Sequence, residues 1–449
     1  MPAFAAFLDV DLFSSGHYRL VNTTLPVCLL DSKDGGDAGS DALTPATLTI
    51  SGGKIHQIAT GPQATVVAND NLPAIDLDGG MIWPVCADLH THLDKGQTWF
   101  RAPNTSGSWQ DALAIVGKDR EANWSAEDVA ARMDFALRCA FAHGTAALRT
   151  HIDSMGPQSA ISWPVLAQMR DRWAGRIALQ GVSLALLDHY VGKDGERLAD
   201  LVAEHSGILG AVVIDDPEPK LERVFSLARD RDLDLDFHAD ETDNPNSNGL
   251  EAIAEATIRF GWQGRVTAGH CCSLAHRPAA DAERTIARVA AAGVAVVSLP
   301  MCNMYLQDRQ RPERTPRWRG VTLLKELAAA GVPVAVASDN TRDAFYAYGD
   351  LDPIEVFAQA VRIAQLDSPL GGWARAITAT PAGVMSTDIT GLLGQGQNAD
   401  LILFHARSWS ELLSRPRGRR LVIRNGRPLT DGLPDYRELD SLHGNHRGR

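Results

Sequence analysis

The chain has 449 residues, 45% of them hydrophobic, which is long enough for one large domain plus a smaller one. Its 43 Lys and Arg stand against 55 Asp and Glu, a formal charge of −12 that removes any general electrostatic reason to bind nucleic acid or an anionic membrane. No run approaches the roughly 20 apolar residues of a membrane span, and the six cysteines form no C-x-x-C pair, which excludes structural zinc held by Cys clusters and fits free thiols in a reducing cytoplasm.

The opening MPAFAAFLDVDLF lacks a basic leader and meets Asp9 and Asp11 at once, so no secretory signal is expected. From about Val21 to Asp78 the residues read as short strands with turns between them: Leu48 to Ile50, the pair Gly52-Gly53, then Lys54 to Ile58. Near the other end, Ala399 to Phe404 and Leu421 to Arg424, followed by Asn425-Gly426, read as further strands, and the two ends are expected to pair into one sheet. Between them a helical stretch, a small-residue stop and a short apolar strand recur. Ser125 to His143 has Val129, Met133, Ala136, Leu137 and Ala140 at helical spacing behind a capping box of Ser125 and Asp128, then Gly144 precedes AALRTHID. Further copies run Leu221 to Glu241, Glu251 to His270, Asp281 to Pro300 and Lys325 to Asn340.

Helices alternating with nearly all-apolar strands imply a parallel sheet covered by helices. This many copies in about 300 residues suits a closed (β/α)8 TIM-type barrel. The expected division is a barrel over 85–394 and a small composite β-sandwich domain from 1–84 and 395–449. Chemistry in such a barrel sits where strands end, and the strand copies end in His151 and Asp153, His238, His270, Asn303 and Asp339. Arg101 to Asn123 and Tyr305 to Arg319 read as long loops over the mouth. The basic stretches Arg415 to Arg420 and His443 to Arg449 read as solvated surface.

Side chains alternate along a strand, so His90 and His92 in DLHTH project the same way and can chelate one ion; two ordinary strand-end histidines are the other reading. His238 adds a third imidazole at the end of LDLDFHADE. Asp339 follows the apolar run VPVAVAS, where a carboxylate is costly to desolvate without a cation or several hydrogen bonds; a helix N-cap is its alternative. Together these four make a mononuclear site with room for a water. Three His and one Asp suit zinc, ferrous iron and manganese alike, so one divalent metal ion is expected without its identity.

The chain resembles the cytosine deaminase branch of the amidohydrolase superfamily over essentially its whole length, through DLHTHLDKGQT, RTHID, HADETDN, RVTAGHCC, SLPMCNMYLQ, ASDNTRDAFY and the closing ADLILF and VIRNGRP. The resemblance implies that His90, His92, His238 and Asp339 are the metal ligands, Glu241 the proton shuttle and His270 the residue that orients the attacking water. The superfamily's dinuclear members carry a bridging lysine at the end of the fourth strand; here Leu209 to Val213 runs into Asp215 and Asp216, which favours one metal. The other deaminase design, with H-x-E and P-C-x-x-C around zinc, does not occur.

Two departures bear on the substrate. Where the cytosine enzymes have a third-strand glutamine, IALQGVSLALLD places Leu186, and Asn340 follows the metal-binding aspartate where those enzymes have a second aspartate. SDNxRD (Ser338 to Asp343) is closer to the triazine-processing N-isopropylammelide hydrolases. The expected partner is therefore a small amino- or alkylamino-substituted nitrogen heterocycle, such as cytosine or a related aminopyrimidine or aminotriazine. Leu186, Asn340, Phe345, Lys95 and Gln97 are candidate substrate contacts, and Tyr305 and Tyr346 are candidates to stack on a planar ring. Arg149 and Asp153 either line the pocket or form a barrel-end ion pair. Cys271 and Cys272 read as small buried thiols. A ring-opening, hydantoinase-like amide hydrolase and an inactive barrel remain the competing functions, and association into a homo-oligomer stays open.

Overall fold

The computed structural model describes residues 13–61, 64, 72–214, 217–309 and 314–443. The leader segment up to residue 12, the Asp215-Asp216 pair and the tail beyond residue 443 lie outside the described residues. The described residues of Met1–Ala87, Phe141–Ala146 and Pro353–Leu433 form one compact unit, and those of Asp88–Ala140, Ala147–Asp352 and Pro434–Arg449 form a second.

In the first unit, β1 (His17–Pro26), β2 (Leu43–Ser51), β3 (Lys54–Thr60) and β4 (Ala74–Asp76) make a sheet in the order β3-β2-β1-β4. Alternation sets its faces: Leu48 and Ile50 of β2 are fully buried while their neighbours Thr47 and Thr49 are not. The β2-β3 turn needs Gly52 (φ 58°) and Gly53 (φ 78°), and a Cβ on Gly53 would stand 2.9 Å from the Asn425 carbonyl oxygen. A second sheet runs β16 (Arg427–Pro428), β15 (Arg420–Arg424), β14 (Leu401–Phe404) and β5 (Ile82–Pro84). The expected pairing of the chain's two ends is thus met through β5, antiparallel to β14; β1 to β4 keep a sheet of their own. Tyr18, Leu20 and Ile50 share one buried cluster with Ile82, Leu401 and Ile423.

The second unit carries the repeats. Its strands are β6 (Cys86–Thr91), β7 (Thr145–Asp153), β8 (Ala178–Leu184), β9 (Leu209–Val213), β10 (Leu235–Ala239), β11 (Val266–His270), β12 (Ala295–Ser298) and β13 (Val334–Val336). They form a three-stranded sheet β6-β7-β8 and a five-stranded sheet β13-β12-β11-β10-β9, in which every neighbouring pair with a recorded register runs parallel. Isolated parallel bridges, Thr91 to Asp339 and Val182 to Ile208, connect the two sheets at both edges. The helices Gly249–Phe260 and Ala279–Ala292 stop where Gly261 and Gly293 turn left-handed.

One segment expected as a mouth loop differs, and the other is a loop in its described residues beyond Leu306. Residues 109 to 123 are a helix, Trp109–Asn123, whose N-cap Ser108 accepts the Asp111 amide; Leu113 on it is exposed, so its apolar positions trace no clear stripe. Tyr305 lies in the last turn of the short helix Pro300–Leu306. No helix among the described residues is long and apolar enough to cross a membrane.

Candidate functional site

Strand ends bring the polar residues together. His90 on β6 and His92 just beyond it lie on one face, His238 and His270 close β10 and β11, and Asp339 follows β13. Gly269 makes room for the first of these, since a Cβ there would stand 3.0 Å from His90 Nδ1. Asp339 is pinned to the first strand by its amide, which donates to the His90 carbonyl at 2.9 Å. The N-cap alternative for Asp339 does not hold: the next helix begins at Pro353. Asp339 (φ 62°), His270 (φ 68°) and Cys271 (φ 52°) are non-glycine residues in the left-handed region, the kind of strain that gathers at functional sites.

His238 Nε2 lies 3.2 Å from both His90 Nε2 and His92 Nε2. Asp339 Oδ1 is 3.2 Å from His92 Nε2 and 3.7 Å from His90 Nε2. Ligands bonded tetrahedrally to one ion at about 2.0–2.2 Å stand about 3.3–3.6 Å apart, and these four separations lie close to that range; the donor atoms of His90, His151 and His238, and of His90, His270 and Asp339, also lie within 4.8 Å of one another, so this buried cluster could hold a cation. Burial holds all three imidazoles well below the usual histidine range, in the neutral form a metal ligand needs. Burial pushes Asp339 up to about 7, with the Cys302 thiol beside it acting the other way. Without a cation, facing imidazole nitrogens and a dehydrated carboxylate would be a poor use of a buried core.

Glu241 stands beside this cluster. Asp240 turns the chain there (φ 48°) while its carboxylate accepts the Gly249 and Leu250 amides, each at 2.9 Å, and the Ser247 hydroxyl at 2.6 Å. Burial, then the charge of Asp339, push Glu241 up to about 8; a hydrogen bond with the Trp109 side chain opposes this. Asn303 Nδ2 lies 3.3 Å from Glu241 Oε1 and 2.9 Å from His270 Nδ1. An amide nitrogen only donates, so His270 Nδ1 accepts and its proton resides on Nε2. Burial lowers His270 to about 3.

Sequence reasoning gave no role to three residues here. Asn303 and His151 stood out only as strand-end polar groups, and Trp109 lay in a presumed loop. The His151 ring centroid is 3.9 Å from that of His90 and 4.6 Å from that of His238, and burial keeps it neutral. Below it, Arg149 donates to Asp236 at 2.7 Å, Gln180 at 3.0 Å and Thr267 at 3.2 Å. Arg149 and Asp153 do not pair with each other, as four residues along a strand span about 13 Å. Asp153 instead binds Lys95 at 2.7 Å and Arg120 at 3.2 Å.

The candidate substrate contacts scatter. Lys95 Nζ lies 5.4 Å from the Phe345 ring centroid; burial depresses this ammonium, but Asp153 and Asp94 outweigh it and hold it above the usual range. Gln97 is buried, and neither its Oε1 nor its Nε2 has a partner among the described residues. Leu186 is 50% exposed and bridges to Val212. Asn340 is committed within its own loop: Nδ2 donates to Asp343 at 2.7 Å and Oδ1 faces the Cys302 thiol at 3.7 Å. Cys271 and Cys272 are free, buried thiols.

A model of the amidohydrolase family matches residues 166–430. A pterin deaminase of Rhizobium rhizogenes (strain K84 / ATCC BAA-868) is 50% identical over 436 residues, covering 96% of this chain and 98% of that protein. The chain belongs to the amidohydrolase family. The N-isopropylammelide isopropyl amidohydrolase of Pseudomonas sp. (strain ADP) is 25% identical over 373 residues, covering 79% of this amidohydrolase and 87% of that one. The crystal structure of 5-methylcytosine deaminase from Klebsiella pneumoniae liganded with 5-fluorocytosine shares the fold, with a TM-score of 0.77 at 23% identity over 93% of this chain and 98% of that one.

Proposed function

We propose that this amidohydrolase is a metal-dependent deaminase of a nitrogen heterocycle, and that its substrate is of the pterin class, a 2-amino-4-oxopteridine. One observation carries the deaminase reading: a buried carboxyl, Glu241, that burial pushes above the usual carboxylate range, beside the four donors His90, His92, His238 and Asp339. The pterin assignment is supported by the relative of that name, matched over nearly the full length of both chains. The bridges at both sheet edges support closure of the eight parallel strands into a barrel.

His90, His92, His238 and Asp339 would hold the cation, which supplies Lewis-acid polarisation of a water near neutral pH. Asp339 accepts the proton of that attacking water. Glu241 delivers its proton to the ring nitrogen next to the amino-bearing carbon, so no negative charge accumulates there as the carbon becomes tetrahedral. His270, its proton fixed on Nε2 by Asn303, offers that N–H to the attacking oxygen. Glu241 recovers a proton from the new hydroxyl as the carbonyl forms, and the proton on Asp339 leaves with the amine. One water is consumed and one ammonia released.

The test is ammonia release from pterin and cytosine and isopropylamine release from N-isopropylammelide, with ring opening of hydantoin followed separately and metal content measured on the same sample. Preferred turnover of pterin is expected. A higher kcat/KM for cytosine would overturn the pterin assignment, and ring opening without ammonia would overturn deamination.

A further inference from the structure

The loop that follows Asp339 is held in a shape it would not choose. Arg342 (φ 51°) and Leu351 (φ 55°) join Asp339 in the left-handed region, where a non-glycine residue persists only if its surroundings enforce it. Inside the loop, Arg342 donates its amide to the Tyr348 carbonyl at 2.9 Å, and the Asp343 carboxylate accepts the Phe345 and Tyr346 amides at 2.8 and 3.0 Å. These bonds close the hairpin from Arg342 to Tyr348 but do not reach its far end at Asp350.

A segment far along the chain does that. Pro434 begins the return to this unit, and the short helix Tyr436–His443 follows. Tyr436 donates its hydroxyl to Asp350 Oδ1 at 2.6 Å, and the Arg342 guanidinium lies 4.2 Å from its ring centroid. One side chain thus grips both ends of the loop. The grip is itself anchored: Glu438 pairs with Arg138 at 2.6 Å, and Leu439 is buried against Phe135 and Cys139.

We propose that Tyr436 is a positioning residue: by clamping Arg342 to Asp350 it sets the loop that presents Phe345 and Tyr346, and so fixes how tightly the heterocycle ring is held, without touching substrate or cation. The link to the ring rests on the function proposed above. The clamp does not.

Tyr436→Ala and Tyr436→Phe are to be compared with the unaltered protein in three measurements: hydrogen exchange of the 340–350 amides, bound metal, and KM and kcat for whichever heterocycle the panel selects. Expected for Tyr436→Ala are faster exchange confined to that loop, unchanged metal, a KM raised about ten-fold and a kcat within about three-fold, the loss of one charge-assisted hydrogen bond and one cation–π contact. Tyr436→Phe, which keeps the stack on Arg342, should fall between. Unchanged loop exchange in Tyr436→Ala overturns the clamp, whether or not any heterocycle is turned over. Exchange faster throughout the unit, with metal and kcat lost in parallel, also overturns it, as a merely structural role. Loop-confined exchange with unchanged KM overturns the positioning role and with it the reading that this loop faces the ring.

Discussion

The cation cluster and the loop beyond it sit next to each other and are built by different rules. His90 and His238 belong to regular parallel strands, so sheet hydrogen bonds fix where their side chains emerge. The loop from Asn340 to Leu351 has no ladder; a few backbone bonds, such as Arg342 to Tyr348 and Trp99 to Arg342, are completed by side chains: Asn340 on Asp343, Asp343 on two amides, Tyr436 across the ends. On the function proposed above, the difference separates two tasks. Activating water requires a geometry common to many substrates, which suits strands, whereas recognising one ring requires walls that change by substitution in loops without disturbing the ion.

The largest effect that would break this division is loss of the ion. His238→Ala is expected to leave the protein folded, without stoichiometric metal and without measurable deamination; metal analysis and circular dichroism on one sample check it. Full activity in the metal-free variant would end the cation reading. Next is Glu241→Gln, which keeps the shape and removes the acidic proton that the carboxyl can transfer. Turnover should fall about 10²- to 10⁴-fold with metal content unchanged, the range for a lost general acid. The sign of the pH effect follows from the raised pKa. The working form of Glu241 is protonated, so kcat of the unaltered protein should decline as pH rises through about 8. The Glu241→Gln profile should lack that limb.

The same division governs how much was legible beforehand. The repeats could be read because each is local: an amphipathic helix, a glycine stop and an apolar strand lie within one window, as in Leu250 to His270. Strand-end donors could be read because a polar residue after an apolar run has few structural uses. What depends on register between distant strands could not. The Arg149–Asp236 pair joins β7 to β10, and the close approach of the His151 ring to that of His90 joins β7 to β6, while nothing near either residue in the chain marks a partner. Trp109 was hidden for a different reason: its helix, half exposed, carries too few apolar positions in phase to stand out from a loop. Asn340 carried a substrate-facing expectation, yet its amide is spent on Asp343, a use set by loop closure alone.

Asn303 gives the smallest and most discriminating test, because it belongs to neither region. It rides on the short helix after β12, and its amide reaches both Glu241 and His270. In Asn303→Ala the cation donors are untouched, so metal should stay bound, and the 340–350 loop should exchange as before. His270 loses the donor that keeps its proton on Nε2, and the tautomer with the proton on Nδ1 becomes accessible. A catalytic loss of about ten-fold is expected in kcat rather than KM, the size of one neutral hydrogen bond. Asn303→Asp makes the argument sharper: a carboxylate accepts where the amide donated, which favours a proton on Nδ1 and turns a lone pair on Nε2 toward the attacking oxygen. If Asn303→Asp proves no slower than Asn303→Ala, control of the His270 tautomer is not what Asn303 contributes.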